Sequence, residues 1–167
     1  LALLGFVAGI VFVVVGAAPQ PNAIDIKPVK YRELCSAVRD LKGKVVVVDV
    51  WAEYCVPCKK SFPHLVQMHQ KYAKDGLVCI SVSVDSLEKQ AAALKFLQDQ
   101  QATFPNYLLA EEFTLWQDKW DISGPPALFV FNRQNQRAAK FDHNDPDKSY
   151  TSEEVEKLVR ELLNDKP

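Results

Sequence analysis

The sequence carries almost no net charge. Its 167 residues hold 20 Lys and Arg against 21 Asp and Glu, a formal net charge of −1. No basic arm or acidic tail interrupts that balance, so the electrostatic footprint of a nucleic-acid binder is missing. Cysteine is scarce: four residues are too few for a disulfide-built scaffold, and their placement matters more than their number. There is no second C-x-x-C and no C-x-x-H. His64 and His69 are five positions apart, about 140° around a helix, so a zinc site at the first pair lacks its other ligands. A lone peroxidatic cysteine with Thr and Pro upstream is also absent, as are internal repeats and low-complexity segments. Metal and organic cofactors are therefore not expected.

Long apolar runs are not absent. Residues 1–18 contain 15 apolar residues and three glycines, without a charge. As a helix they reach about 27 Å, marginal for a bilayer core. Gly16 and Ala18 stand as small residues in a minus-three, minus-one arrangement before Pro19-Gln20-Pro21, as at a signal cleavage site. No Met and no basic residue precede the run, so a native start further upstream is expected. A cleaved signal peptide and a retained membrane anchor both fit, and both export the rest of the chain. A buried core helix fits poorly with Gly5, Gly9 and Gly16, and no cysteine comes after the run in a lipidation context. The remainder is roughly 44% apolar, close to a soluble domain. The expected organisation is a leader over 1–18, a linker over 19–28 and one domain over 29–164.

Within that domain, Tyr31, Leu34, Cys35, Val38 and Leu41 recur at helical spacing up to Gly43. Lys44 to Val50 is a β-branched run, expected as a central strand buried on both faces. A helix is predicted from Pro57 to Lys74, closed by Gly76, then a second buried strand from Leu77 to Val84. An amphipathic helix comes next over Leu87–Gln101, then a short strand over Tyr107–Ala110 and a short helix over Glu112–Lys119. Strands at Ala127–Asn132 and Arg137–Phe141 flank a hairpin turn. After a polar loop, Thr151 and Glu154 form a capping box for a last helix ending near Leu163. The order implies an α/β domain, a central mixed sheet flanked by helices.

The densest chemistry is Trp51-Ala52-Glu53-Tyr54-Cys55-Val56-Pro57-Cys58-Lys59-Lys60, where the first buried strand meets a helix. Two thiols three positions apart at a helix start can close a disulfide with little backbone movement. The helix amides and dipole favour the Cys55 thiolate; Lys59 and Lys60 add to this, and Glu53 opposes it. Pro57 suits the first turn. A static disulfide is the bland alternative. Asp49 is a carboxylate inside an apolar strand, where burial raises its pKa and makes it a proton acceptor for Cys58. A structural, hydrogen-bonded Asp is the other reading. Gly124-Pro125-Pro126 precedes a strand and is a plausible cis-proline site.

Together these residues resemble the thioredoxin-like family, and within it the exported TlpA/ResA-type thiol-disulfide oxidoreductases. Val45–Lys59, VVVVDVWAEYCVPCK, is similar to the family's strand, Trp and C-x-x-C segment, with Asp49 at its buried Asp. Gly43-Lys44, Ser61-Phe62-Pro63 and Phe104-Pro105 resemble the TlpA/ResA branch, and Pro126 takes the cis-proline place before Leu128-Phe129-Val130-Phe131. The resemblance spans about residues 28–164. It implies a thioredoxin fold with an inserted segment, a redox-active Cys55–Cys58 pair, protein disulfide or dithiol substrates and a membrane thiol electron donor. Cytochrome c maturation is one setting it allows.

Three departures stand out: Tyr54 replaces the usual Trp, Val56 stands where some relatives carry Glu, and Pro125 precedes the cis-proline. Trp51, Tyr54, Val56, Pro57, Pro125 and Pro126 are expected as the substrate-docking surface, with core packing the alternative for Trp51 and surface-cap packing for Tyr54. Pro125 removes a backbone N–H there. Val56-Pro57 holds no His to stabilise a Cys55 thiolate strongly, which favours reduction over oxidation.

Cys35 and Cys79 read as small core residues, although sequence leaves their pairing open. His64, His69 and His143 read as surface or packing residues. A copper-binding assembly factor using the cysteines and His143, and a redox-inert interaction module, are the rival readings.

Overall fold

The computed structural model describes residues 23–112 and 114–165. The leader expected over 1–18 lies outside the described residues. Among them, no helix is long and apolar enough to cross a membrane.

The valine-rich run becomes β2 (Val45–Trp51), buried at every position, Asp49 included. It lies inside a six-stranded sheet with β1 (Lys27–Val29), β3 (Leu77–Ser83), β4 (Asn106–Leu109), β5 (Ala127–Phe131) and β6 (Arg137–Asp142), in the order β1-β4-β3-β2-β5-β6. β1, β4, β3 and β2 run parallel, whereas β5 and β6 are antiparallel additions. The expected mixed α/β sheet is therefore present.

Strand alternation divides β2 between two cores. Val45, Val47 and Trp51 face α2 (Val56–Tyr72), α3 (Gln90–Asp99) and α5 (Ser152–Asn164). Val46, Val48 and Val50 face α1 (Tyr31–Arg39) and the region of α4 (Thr114–Trp120).

Some boundaries differ from expectation. Pro28 falls in the expected linker because of its proline-rich surroundings, yet it sits in β1, paired with Leu108. Proline is tolerated there because β1 is an edge strand, and Val29 is buried. The helix expected from Leu87 begins as a 3-10 turn over Leu87–Lys89 before α3. Gly76 turns the chain into β3 at φ 104°, a conformation that disfavours other residues. Thr151 Oγ1 accepts the Glu154 N–H at 3.2 Å and Glu154 accepts the Thr151 N–H at 2.7 Å, completing the capping box.

Candidate redox site

β2, an interior strand, delivers the chain to the C-terminal end of the parallel strands, and a turn closed by the Cys55 N–H to the Ala52 carbonyl (3.0 Å) starts α2. Cys55 is the N-cap of α2, and its Sγ accepts the Cys58 N–H at 3.3 Å. The two cysteines form a disulfide, with Cα atoms 5.3 Å apart. Cys55 is 6% exposed and Cys58 only 1%, so both are buried and the first is the less deeply covered of the two. At the N-cap, the helix dipole and this N–H hold a thiolate by about 0.3–1 kcal/mol, under one pH unit of thiol acidity. Lys59 adds little. Its Nζ is 2.9 Å from Glu53 Oε1, and that pairing holds the Glu53 carboxyl below its usual range.

The cis peptide between Pro125 and Pro126 joins this end of the sheet through strand register. Val50 pairs with Ala127 in the antiparallel β2–β5 ladder, which brings Pro126 alongside Trp51. The Pro126 carbonyl accepts the His143 N–H at 3.3 Å, and Asn144 Nδ2 donates to the Gly124 carbonyl at 2.9 Å. The loop after β6 thus holds the cis-proline turn.

The expected docking residues divide. Tyr54 and Val56 are 68% and 61% exposed, and Pro57 is exposed beside them. Pro125 is half-buried and Pro126 buried. Trp51 is fully buried: its ring centroid lies 5.5 Å from Phe62 and 4.9 Å from Phe96. It supports the site from below and offers no surface, because the odd-numbered positions of β2 face the α2 side.

Asp49 shares that face and is buried. Loss of hydration pushes its carboxyl up to about 7. It borders a cavity of about 20 Å³ with Ser61, His64, Tyr150 and Ser152, room for one water. Ser61 Oγ in turn donates to the Cys58 carbonyl at 3.1 Å.

Asp85 was missed by sequence reasoning. It is buried, and its Oδ2 accepts the Glu53 N–H at 2.8 Å and the Ser83 hydroxyl at 2.7 Å. It thereby pins the segment leading to Cys55. Its signal, an acidic residue just past a strand, acquires meaning only once β3 is known to lie beside β2.

The remaining cysteines lie on opposite faces of the sheet. Cys79 is fully buried, and its thiol is pushed well up by burial and by the Asp49 charge. Cys35 is only half-buried, because it faces a cavity under α1 and not the packed core. His64 Nε2 lies 3.4 Å from Glu156 Oε2. His69 Nδ1 accepts the Cys79 N–H at 3.4 Å, and burial lowers its pKa. His143 packs on Tyr150, with ring centroids 4.4 Å apart. Among the described residues, no three His, Cys, Asp or Glu side chains are grouped to hold a metal ion.

A family model described as thioredoxin-like matches residues 43–137. The thiol-disulfide oxidoreductase ResA of Bacillus subtilis is 31% identical over 97 residues, covering 58% of this chain and 52% of that protein. Protein DipZ of Mycobacterium bovis is 29% identical over 131 residues, 77% of this chain but 18% of DipZ. The chain therefore spans about half the length of ResA and under a fifth of DipZ. Among solved structures, a Chlorobium tepidum protein provisionally named thiol:disulfide interchange protein DsbE superposes with a TM-score of 0.63. It is 28% identical, with 76% of this chain and 85% of that one covered. The thioredoxin domain of a Bacteroides vulgatus thiol-disulfide oxidoreductase gives a TM-score of 0.57 at 26% identity, covering 72% and 83%.

Proposed function

The chain belongs to the thioredoxin-like family, and we propose that it is a thiol-disulfide oxidoreductase that reduces disulfides of exported proteins. The observation that carries this reading is the disulfide itself: Cys55 at the helix N-cap with its sulfur on the Cys58 N–H, and Cys58 sealed behind it. A static bridge has no need of a first sulfur placed at a helix N-cap, where a thiolate is favoured.

In the reduced protein, the Cys55 thiolate attacks one sulfur of a partner disulfide. The partner's S–S bond breaks, one partner thiolate leaves and takes up a proton, and a mixed disulfide joins Cys55 to the other sulfur. Asp49 accepts the Cys58 proton. The Cys58 thiolate then attacks Cys55 Sγ, forming the intramolecular disulfide and releasing the second partner thiolate. Two electrons have passed from the dithiol to the partner. A membrane thiol system returns them by the same exchange.

Tyr54, Val56, Pro57 and Pro125 form the contact surface, with Pro126 setting the turn beneath it. The apolar run over residues 1–18 supports an extracytoplasmic location, as a signal or an anchor. Val56-Pro57 between the cysteines supports the reducing direction.

A Cys58→Ser variant incubated with exported proteins is expected to accumulate mixed disulfides on Cys55, visible on non-reducing gels and abolished by Cys55→Ser. No trapped adduct would overturn the activity. A redox titration of the wild type tests direction: a potential below about −250 mV marks a reductant, and one near about −120 mV an oxidant.

A further inference from the structure

On the face of the sheet away from the disulfide lies a cavity of about 460 Å³, within the ~300–1,000 Å³ of ordinary small-molecule sites. Its floor is apolar: Val48 and Phe129 from the sheet, Leu34 and Val38 from α1. Trp120 forms a wall, its ring 5.5 Å from Phe129 and 5.7 Å from Tyr31. Asn135 closes one end, its Nδ2 donating to the Val38 carbonyl at 2.7 Å.

Charge at the cavity has one sign. Arg39 from α1, Lys119 from α4 and Arg137 from β6 all line it, and no carboxylate does among the described residues. Lys119 Nζ stands 5.1 Å from the Tyr31 ring centre, and Arg39 Nη2 donates to Ser36 Oγ at 2.8 Å. The Glu111 carboxylate lies outside the lining and accepts the Tyr31 N–H at 2.7 Å. Three elements thus bring cations to the rim of one apolar cavity in a chain whose overall charge is −1. Net charge does not explain that arrangement. An apolar body seated on the floor, with an anionic head at the rim, satisfies both halves of it.

We propose that this cavity is a binding site for a small amphipathic anion, an aliphatic or aromatic body carrying a single carboxylate. The floor takes the apolar body, and Arg137 and Lys119 hold the head. The site lies across the sheet from Cys55 and Cys58, so it binds with the disulfide closed.

Cys35 lines the cavity and serves as its reporter. In the oxidised protein, Cys55 and Cys58 are bonded and Cys79 is fully buried, so iodoacetamide modifies Cys35 alone. The experiment measures protection of Cys35, by mass spectrometry of the intact oxidised chain, against decanoate, decanol and decyltrimethylammonium. Decanoate is expected to protect saturably, at about tenfold lower concentration than decanol, the least advantage expected of a charge-assisted hydrogen bond. The cationic amphiphile is expected to protect least.

Arg137 and Lys119 are exposed, so R137Q/K119Q is expected to keep the fold and to narrow the acid-over-alcohol preference to within about threefold. Absence of saturable protection overturns the proposal. So does equal protection by acid and alcohol, or a preference unchanged in the double variant.

Discussion

The burial of Asp49 couples its protonation to stability and, in the proposed mechanism, to chemistry. Burial lifts its carboxyl from 3.8 to about 7, so between these values the folded protein binds a proton that the unfolded chain does not. Its contribution to stability is complete below about pH 4 and declines as pH rises through 7. The total loss is of the order of 4 kcal/mol. Asp49→Asn removes the ionisation and keeps the shape. Its melting temperature is expected to equal that of the wild type at pH 4 and to exceed it at pH 8. Stopped-flow reduction of a disulfide substrate is expected to show the opposite sign in rate. Resolution of the mixed disulfide slows in the variant, and the inflection near pH 7 disappears. A purely structural Asp49 would change the melting curve and leave that inflection in place.

At the scale of elements, helix ends carry much of the design. α2 begins on a cysteine that caps it through sulfur, and its first turn holds Pro57, whose missing N–H has no partner to lose there. Pro63 sits further along the same helix and forfeits one backbone bond, while buried Phe62 and Leu65 press that segment onto the sheet. α5 is held differently, by the reciprocal Thr151–Glu154 bonds and by buried Val155 and Val159. Thr151→Ala is expected to lower stability by about 1 kcal/mol in urea unfolding. Because α5 covers the Asp49 cavity through Ser152 and Val155, the same variant is expected to speed amide exchange in the first turn of α5. Unchanged exchange there would mean that packing alone holds this helix end.

For the whole molecule, the sheet is a partition. Cys79 lies in the core beneath α2, and Cys35 sits on α1 on the other side of the sheet, so no side-chain movement brings their sulfurs together. Oxidised, denatured protein is therefore expected to show two free thiols by mass after alkylation, with Cys55–Cys58 as the sole bridge. A Cys35–Cys79 crosslink would contradict this topology. The partition also separates two kinds of surface: the shallow exposed patch around Tyr54 and Val56, and the basic-rimmed cavity across the sheet.

Much of this was legible in the residues. A short run dominated by valine favours a strand covered on both faces, and C-x-x-C shortly after it places two thiols at a helix start. Thr and Glu three apart at the right spot cap a helix whatever surrounds them. These are local consequences of backbone geometry and side-chain shape. Other features depend on register between segments far apart in the chain. Trp51 turned inward because odd positions of β2 face α2, and Asp85 became a brace because β3 lies beside β2. Pro28 entered a strand because β4 offered an open edge. Cys35 gained a cavity because α1, α4 and β6 meet over the sheet with Leu34, Trp120 and Arg137 lining the space between them. Sequence by itself determined the strand, the helix start and the closely spaced cysteine pair, since each is decided by residues near one another in the chain. Only the tertiary structure decided which face each side chain joins, because that depends on which strands become neighbours.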